Sequence, residues 1–158
     1  MADKYTLSVL VENHFGLLAR ASNLISARGF NIDSLTVSTT EDPTISRMTI
    51  VVDADPVKIE QVKNQLNRLI DVIEVQQLQA GQYLDRELLL ARVSATGVAR
   101  GQVEEIAKRF GAKLADANGH SVVIEAAADT QMLDQLIEQL RPHGITKLVR
   151  TGRIALEK

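Results

Sequence analysis

Hydrophobic and polar residues repeat with two different periods along the chain, and the order of those periods predicts its elements. Residues 5–12 alternate between apolar and polar side chains, which is the period of a half-buried strand. The following segment has the period of a helix, and Gly29 supplies the left-handed residue that ends many helices. The inward face of this first helix is predicted to carry Leu17, Leu18, Ala21, Leu24 and Ile25.

The first half then continues as strand, strand, helix and strand. Residues 31–40 are β-rich, and a turn signal at residues 41–44 separates them from a strand at residues 45–52. Pro56 suits the first turn of a helix, and residues 72–78 close the half as a strand. The buried stripe of this second helix is predicted to be Ile59, Val62, Leu66, Leu69 and Ile70.

The same order of elements returns in the second half. The pattern predicts a strand at residues 86–94 and a helix at residues 98–110. A hairpin is expected around Asn118-Gly119, a strong signal for a two-residue turn. A helix capped by Asp129 or Thr130 and a strand at residues 145–151 complete the half.

The sequence therefore predicts an α+β protein made of two tandem βαββαβ units. Each unit suits a ferredoxin-like fold, a four-stranded antiparallel sheet with two helices on one face. We predict a first domain at residues 1–78, a linker at 79–85 and a second domain at 86–158. The uncovered sheet faces and the open edge strands both favour self-association, so a dimer is expected.

Composition narrows the possible functions. The chain is 45% hydrophobic and 24% charged, as folded domains are, and it has no Cys for a disulfide framework or a thiolate site. The net charge is −2, and neither half carries the basic face of a nucleic-acid binder. No signal peptide opens the sequence and no apolar run approaches a membrane span, so a cytoplasmic protein is expected.

One segment suggests a binding site. The first strand stops at Asn13, a turn ends in Gly16, and a helix begins at once. Such a turn aims the unpaired N–H groups of a helix N-terminus at one spot, which suits a small anion such as the carboxylate of an amino acid. Asn13 has two interpretations here: it caps the helix or forms an Asx-turn, or its amide orients a ligand. Gly16 likewise is either a turn residue or the point where a ligand approaches the backbone.

Asn31 is expected at the same sheet edge as the turn between Asn13 and Gly16, near a dimer mate.

Other kinds of chemistry find little support in the sequence. The three histidines lie in predicted turns without metal-ligand spacing, and no nucleophile triad is visible, so no metal site and no catalytic residue are predicted. An RNA-binding version of the fold would need aromatic residues clustered on its central strands.

The residues of the first half resemble a known family. The segments are 7–13, 16–20, 28–37 and 46–50, which together resemble the small, regulatory subunits of acetolactate synthase (acetohydroxyacid synthase). The resemblance implies an N-terminal ACT domain, followed by the family's C-terminal α/β sandwich domain. In this family two ACT domains pair across a dimer and bind branched-chain amino acids, mainly valine, at their interface.

The resemblance also implies residues, partners and cofactors. The implied effector contacts are Asn13, His14, Phe15, Gly16, Leu17 and Leu18, with Asn31 from the facing subunit and Ile32 beside it. The family's large, catalytic subunit carries thiamine diphosphate, FAD and Mg²⁺ and condenses pyruvate with a second 2-oxo acid. This chain is then expected to hold no cofactor itself, to activate that subunit and to let valine depress it.

Two alternatives to a regulatory subunit stay open at this point. The first is a stand-alone amino-acid sensor that uses the same ligand site with another partner. The second is a small hydrolase of the acylphosphatase type, which would need an Arg in the turn after the first strand. That turn has the sequence Asn-His-Phe-Gly.

Overall fold

The protein is described by a computed structural model that covers residues 3–158, and these residues fall into two compact units. Unit 1 takes in the chain up to Leu84 together with Arg153–Lys158, and unit 2 is Asp85–Gly152. The boundary lies within the segment that we predicted as a linker, although a strand already begins at Tyr83. The last residues of the predicted second domain, 153–158, belong to unit 1, which differs from the sequence-based division.

Unit 1 has the predicted βαββαβ order. Its sheet is antiparallel in the order β2-β3-β1-β4, with two helices on one face. Each helix begins where the sequence places it, and Asp55 caps the second by accepting a hydrogen bond from Lys58 N (2.8 Å). The elements are β1 (Asp3–Glu12), α1 (Leu17–Ser26), β2 (Asn31–Thr39), β3 (Ile45–Ala54), α2 (Pro56–Leu66) and β4 (Val72–Leu78).

The core of unit 1 lies between this sheet and the inward faces of α1 and α2. Leu17, Ala21 and Ile25 are buried as predicted. Two predicted core residues are not: Leu18 is 46% exposed and Ile70 is 98% exposed. Leu18 lies outside the stripe that α1 turns inward, and Ile70 follows the end of α2, so helical periodicity no longer determines its direction.

The opposite face of this sheet is covered in part by the end of the chain. Thr6 and Ser8 point away from the helices, yet each is only 3% exposed. The Arg153 guanidinium donates to Thr6 Oγ1 (2.8 Å) and to the Tyr83 hydroxyl (3.3 Å). A short strand that the sequence pattern did not predict, β9 (Ile154–Glu157), follows Arg153. The chain thus supplies its own cover for a face that we expected to be open.

Unit 2 repeats the same fold, which confirms the α+β class with two ferredoxin-like units. Its sheet runs in the order β6-β7-β5-β8. No helix within residues 3–158 is long and apolar enough to cross a membrane. The elements are β5 (Tyr83–Ser94), α3 (Val98–Arg109), β6 (Lys113–Ala117), β7 (Ser121–Ala128), α4 (Thr130–Leu140), a 3₁₀ turn (Arg141–His143) and β8 (Ile145–Arg150).

The hairpin of unit 2 differs in detail from its prediction. Asn118 N donates to Ser121 O (3.0 Å), so the central residues of the turn are Gly119 and His120 rather than Asn118 and Gly119. The Asn118 side chain accepts from the backbone N–H groups of both His120 (2.9 Å) and Ser121 (2.8 Å). Asn118 thereby stabilises the turn through its amide oxygen and does not need a left-handed backbone.

Candidate effector-binding site

Helix α1 begins without a side-chain cap. Gly16 is its N-cap residue in the left-handed conformation (φ 78°), no side chain accepts from the first turn, and that turn holds no acidic residue. A Cβ added at Gly16 would meet no atom within 4 Å, so the space in front of the helix is open. The first N–H groups of α1 therefore remain available to an anion.

Asn13 does not cap the helix, so the N-cap that was one of its expected structural roles is wrong. Its Nδ2 donates instead to Pro43 O (3.3 Å), and its backbone N–H donates to Thr44 O (2.8 Å). The amide oxygen of Asn13 accepts no hydrogen bond from any other residue of 3–158. The side chain is thus fixed through its nitrogen, while its oxygen is free three residues before the N-cap of α1.

The turn that holds Asn13 is itself held by hydrogen bonds. Asp42 Oδ1 accepts from Thr44 Oγ1 (2.7 Å) and from Thr44 N (2.9 Å). These two bonds favour the charged carboxylate and lower the pKa of Asp42 below its ordinary value, the side-chain bond having the larger effect. The turn is a pre-formed support for Asn13 and does not depend on a ligand.

A charged cluster lies on the other side of the loop. Asp71 accepts from the Arg20 guanidinium and lies 3.1 Å from His14 Nδ1, and Glu12 Oε2 lies 3.5 Å from the same nitrogen. The ligand atoms of Glu12, His14 and Asp71 fall within 4.8 Å of one another, a spacing that a metal ion could use. Arg20 already supplies Asp71 with a cation, so we assign the cluster to holding α1 against the α2–β4 loop.

A cavity opens next to this cluster. Its volume is about 520 Å³, within the range of small-molecule sites. Phe15 and Ile70 lie on its border, and both side chains are almost fully exposed (105% and 98%). The residues that line it are His14, Phe15, Arg20, Arg68, Leu69, Ile70 and Asp71.

Asn31 does not lie at the same end of the sheet as Asn13, which corrects the expectation for a single chain. Asn31 pairs with Asp53, whereas Glu12, at the opposite end of β1, pairs with Ile45. Eight residues of β3 separate these two positions, roughly 26 Å at about 3.3 Å per residue. Ile32 pairs with Val52 and packs against the core. One chain brings residues 13–18 together but leaves residues 31 and 32 apart from them.

The sequence alone did not identify three residues that support the candidate site. Pro43 and Thr44 hold Asn13, and Asp71 bonds to the loop through His14 and to α1 through Arg20. The only signal for Pro43 and Thr44 was the turn motif at residues 41–44. Its link to Asn13 depends on the pairing of β1 with β3, which the local pattern does not contain.

The fold and the turn together place unit 1 in the ACT class of βαββαβ domains. Residues 7–74 match the family profile described as an AHAS small subunit-like ACT domain, and residues 86–158 match that of the small subunit of acetolactate synthase. The chain belongs to the family of acetolactate synthase small subunits.

Similar proteins agree over nearly the whole chain. A probable acetolactate synthase small subunit from Archaeoglobus fulgidus is 44% identical over 97% of this chain and 96% of its own length. The small subunit from Mycolicibacterium smegmatis is 42% identical over 98% of this chain and 91% of its own. The crystal structure of the Thermotoga maritima small subunit superposes with a TM-score of 0.90 at 28% identity, covering 99% and 98% of the two chains.

Proposed function

We propose that this chain is a non-catalytic regulatory subunit that activates the catalytic subunit of acetolactate synthase and makes it sensitive to valine. The observation that carries the proposal is the uncapped N-terminus of α1 beside the fixed amide of Asn13. Family membership supports the partner, since a small subunit of this enzyme implies a catalytic one.

The loop offers complementary groups for each part of an amino acid. The first N–H groups of α1, at Leu17 and Leu18, suit the carboxylate, because they carry the positive end of the helix dipole. The free oxygen of Asn13 suits the ammonium group. The exposed side chains of Phe15 and Leu18 provide apolar surface for an aliphatic side chain. A small, branched, apolar amino acid such as valine satisfies all three.

Pairing of two chains through β2 would complete this site. β2 is the edge of the unit 1 sheet, and its N–H and C=O groups on the outer side are available to a second chain. Antiparallel pairing of two β2 strands sets Asn31 of one chain opposite Thr39 of the other. Thr39 lies beside Ser46, at the Asn13 end of the sheet. Asn31 and Asn13 are far apart within one chain, but in such a dimer Asn31 of one chain lies at the end of the sheet that carries Asn13 of the other.

Regulation then follows from a difference in affinity between two arrangements of the dimer. Valine bridging two ACT domains stabilises the arrangement that supports the catalytic subunit less well. A coupling free energy of roughly 1–3 kcal/mol is typical and gives several-fold inhibition. Thiamine diphosphate, FAD and Mg²⁺ belong in this scheme to the catalytic partner.

Calorimetric titration of the purified chain with valine tests the site, with leucine, isoleucine and glutamine titrated in parallel. Saturable binding of valine at one or two sites per dimer is the expected result, and glutamine should not bind. Reconstitution with the catalytic subunit then tests activation and inhibition in one assay. Absence of binding by all four amino acids, in the isolated chain and in the reconstituted enzyme, would eliminate the effector site.

A further inference from the structure

The sheet of unit 2 has one face that no helix of residues 3–158 covers, and half of this face is both apolar and basic. On β5, Leu88, Leu90 and Arg92 alternate with the buried Leu89, Ala91 and Val93. The neighbouring edge strand β8 adds Val149 opposite Leu90 and Lys147 opposite Arg92. We call the five residues Leu88, Leu90, Arg92, Lys147 and Val149 the β5–β8 patch.

The apolar part of the patch is partly exposed. Leu88 is 39% exposed, Leu90 38% and Val149 53%, although all three belong to regular strands. Single exposed apolar residues need no explanation, but these three are neighbours on one face. Burying them against another surface would be favourable.

The basic part of the patch holds two like charges side by side. Arg92 and Lys147 are direct cross-strand neighbours, and like charges in that position repel. Neither side chain forms an ion pair with any residue between 3 and 158. Residues 85–152 contain nine basic and nine acidic residues, so the pair does not reflect a basic unit. An external carboxylate would satisfy both cations.

Charge decides which partner fits. In an isologous contact between two copies the patch faces the same patch, so the cations Arg92 and Lys147 of one copy would meet those of the other. A displaced contact would meet the β6–β7 half of the face, where Lys113 leaves only one net negative charge on Glu125 and Asp116 to oppose the two cations. A different protein with an acidic group beside an apolar strip is a better complement.

We propose that the β5–β8 patch is a docking surface for an acidic, apolar surface of the acetolactate synthase catalytic subunit. This proposal rests on the proposed function, which supplies the partner. It gives unit 2 a role in assembly that is separate from the effector site in unit 1.

The variant Arg92→Glu tests the proposal because it should raise the stability of the isolated chain and lower its affinity for the catalytic subunit. A glutamate at this position forms a cross-strand ion pair with Lys147, so the Tm of the isolated chain should rise by about 2 °C. The affinity for the catalytic subunit should fall at least about tenfold, because an acidic partner surface now faces a carboxylate. A merely structural role would change stability and affinity in the same direction.

Lys108→Glu is the matched control. Lys108 is an exposed cation on α3 of the same unit, so the charge change is identical but lies on the helical side. This variant should bind the catalytic subunit like the unmodified chain, and valine should bind all three proteins equally. The proposal is overturned if Arg92→Glu binds the catalytic subunit with unchanged affinity. It is also overturned if this variant loses self-association instead of affinity for the catalytic subunit. Failure of the unmodified chain to bind the catalytic subunit would instead refute the proposed function.

Discussion

At the scale of single residues, the proposed effector site depends on open space at Gly16 and on an asparagine, Asn13, whose nitrogen and backbone are fixed. Gly16 adopts a positive φ and has nothing within 4 Å of where a Cβ would lie. Any side chain there enters the space where a ligand carboxylate would bind. Pro43 and Thr44 fix the nitrogen and the backbone of Asn13, as its proposed contact with a ligand requires.

Gly16→Asp should abolish inhibition by valine while activation of the catalytic subunit survives. The added carboxylate repels the carboxylate of valine, and the left-handed backbone costs only about 1 kcal/mol. Activity of the reconstituted enzyme with increasing valine measures both properties. Gly111→Asp is the control, because Gly111 also has a positive φ and open space but lies in unit 2. Normal inhibition in Gly16→Asp would remove the effector site from this loop.

Thr44→Val should weaken the turn that holds Asn13 and change the titration of Asp42. Without the Thr44 hydroxyl, the pKa of Asp42 should rise toward its ordinary value. The stabilising effect of this carboxylate is present above the ordinary pKa of Asp and is lost as the pH falls through its lowered value in the folded chain. NMR titration of the Asp42 carboxyl carbon and calorimetry with valine follow the two effects. Thr96→Val, at an exposed position of unit 2, should change neither.

At the scale of elements, β5 and β8 of unit 2 are joined by a largely buried ion pair. Arg150 donates to both carboxylate oxygens of Glu87, each bond 2.7 Å long, and to Asp134 Oδ1 (2.7 Å). Glu87 is only 7% exposed. Its hydrogen bonds with Arg150 raise the pKa of the guanidinium, so this cation stays charged at every accessible pH.

Arg150→Ala should therefore destabilise unit 2 by about 3 kcal/mol, because it leaves a buried carboxylate without its cation. The free energy of unfolding in urea measures this loss. Arg141→Ala removes the same side chain from an exposed pair with Glu138 and should have no measurable effect. Equal stability of the two variants would show that the Glu87 carboxylate finds another partner or water.

Prediction from sequence succeeded for elements and failed where distant segments meet. The helical stripes and strand alternation are local, so α1, α2 and the seven strands expected before β8 could be located from periodicity. The contact of Asn13 with Pro43 spans thirty residues and depends on strand register, which no local pattern contains. Strand β9 is four residues long, too short for a period, and its pairing with β5 defines it.

At the scale of the whole molecule, the proposed site needs two chains. The register of the sheet places Asn13 and Asn31 at opposite ends of one chain, so each site must take one asparagine from each subunit. This arrangement is a prediction that a mixture of two variants can test.

Asn13→Ala and Asn31→Ala should each lose valine binding as pure dimers and regain part of it when mixed. A mixed dimer contains one site with both asparagines and one site with neither. Calorimetry should therefore recover up to one site per mixed dimer after the chains are unfolded and refolded together. Without any recovery, Asn31 would have no place in a shared site. Mixing Asn13→Ala with Asn13→Gln is the control, because no combination restores Asn13.

The return of the chain's end to unit 1 has a consequence for how the protein is made. Residues leave the ribosome in order, at about 5–20 per second. Unit 2 is complete once Gly152 has emerged, whereas unit 1 lacks Arg153–Lys158 until the following residues have been synthesised. The domain whose synthesis begins first is thus the one that is completed last. Until then, the polar face of its sheet around Thr6 lacks the hydrogen bond from the guanidinium of Arg153.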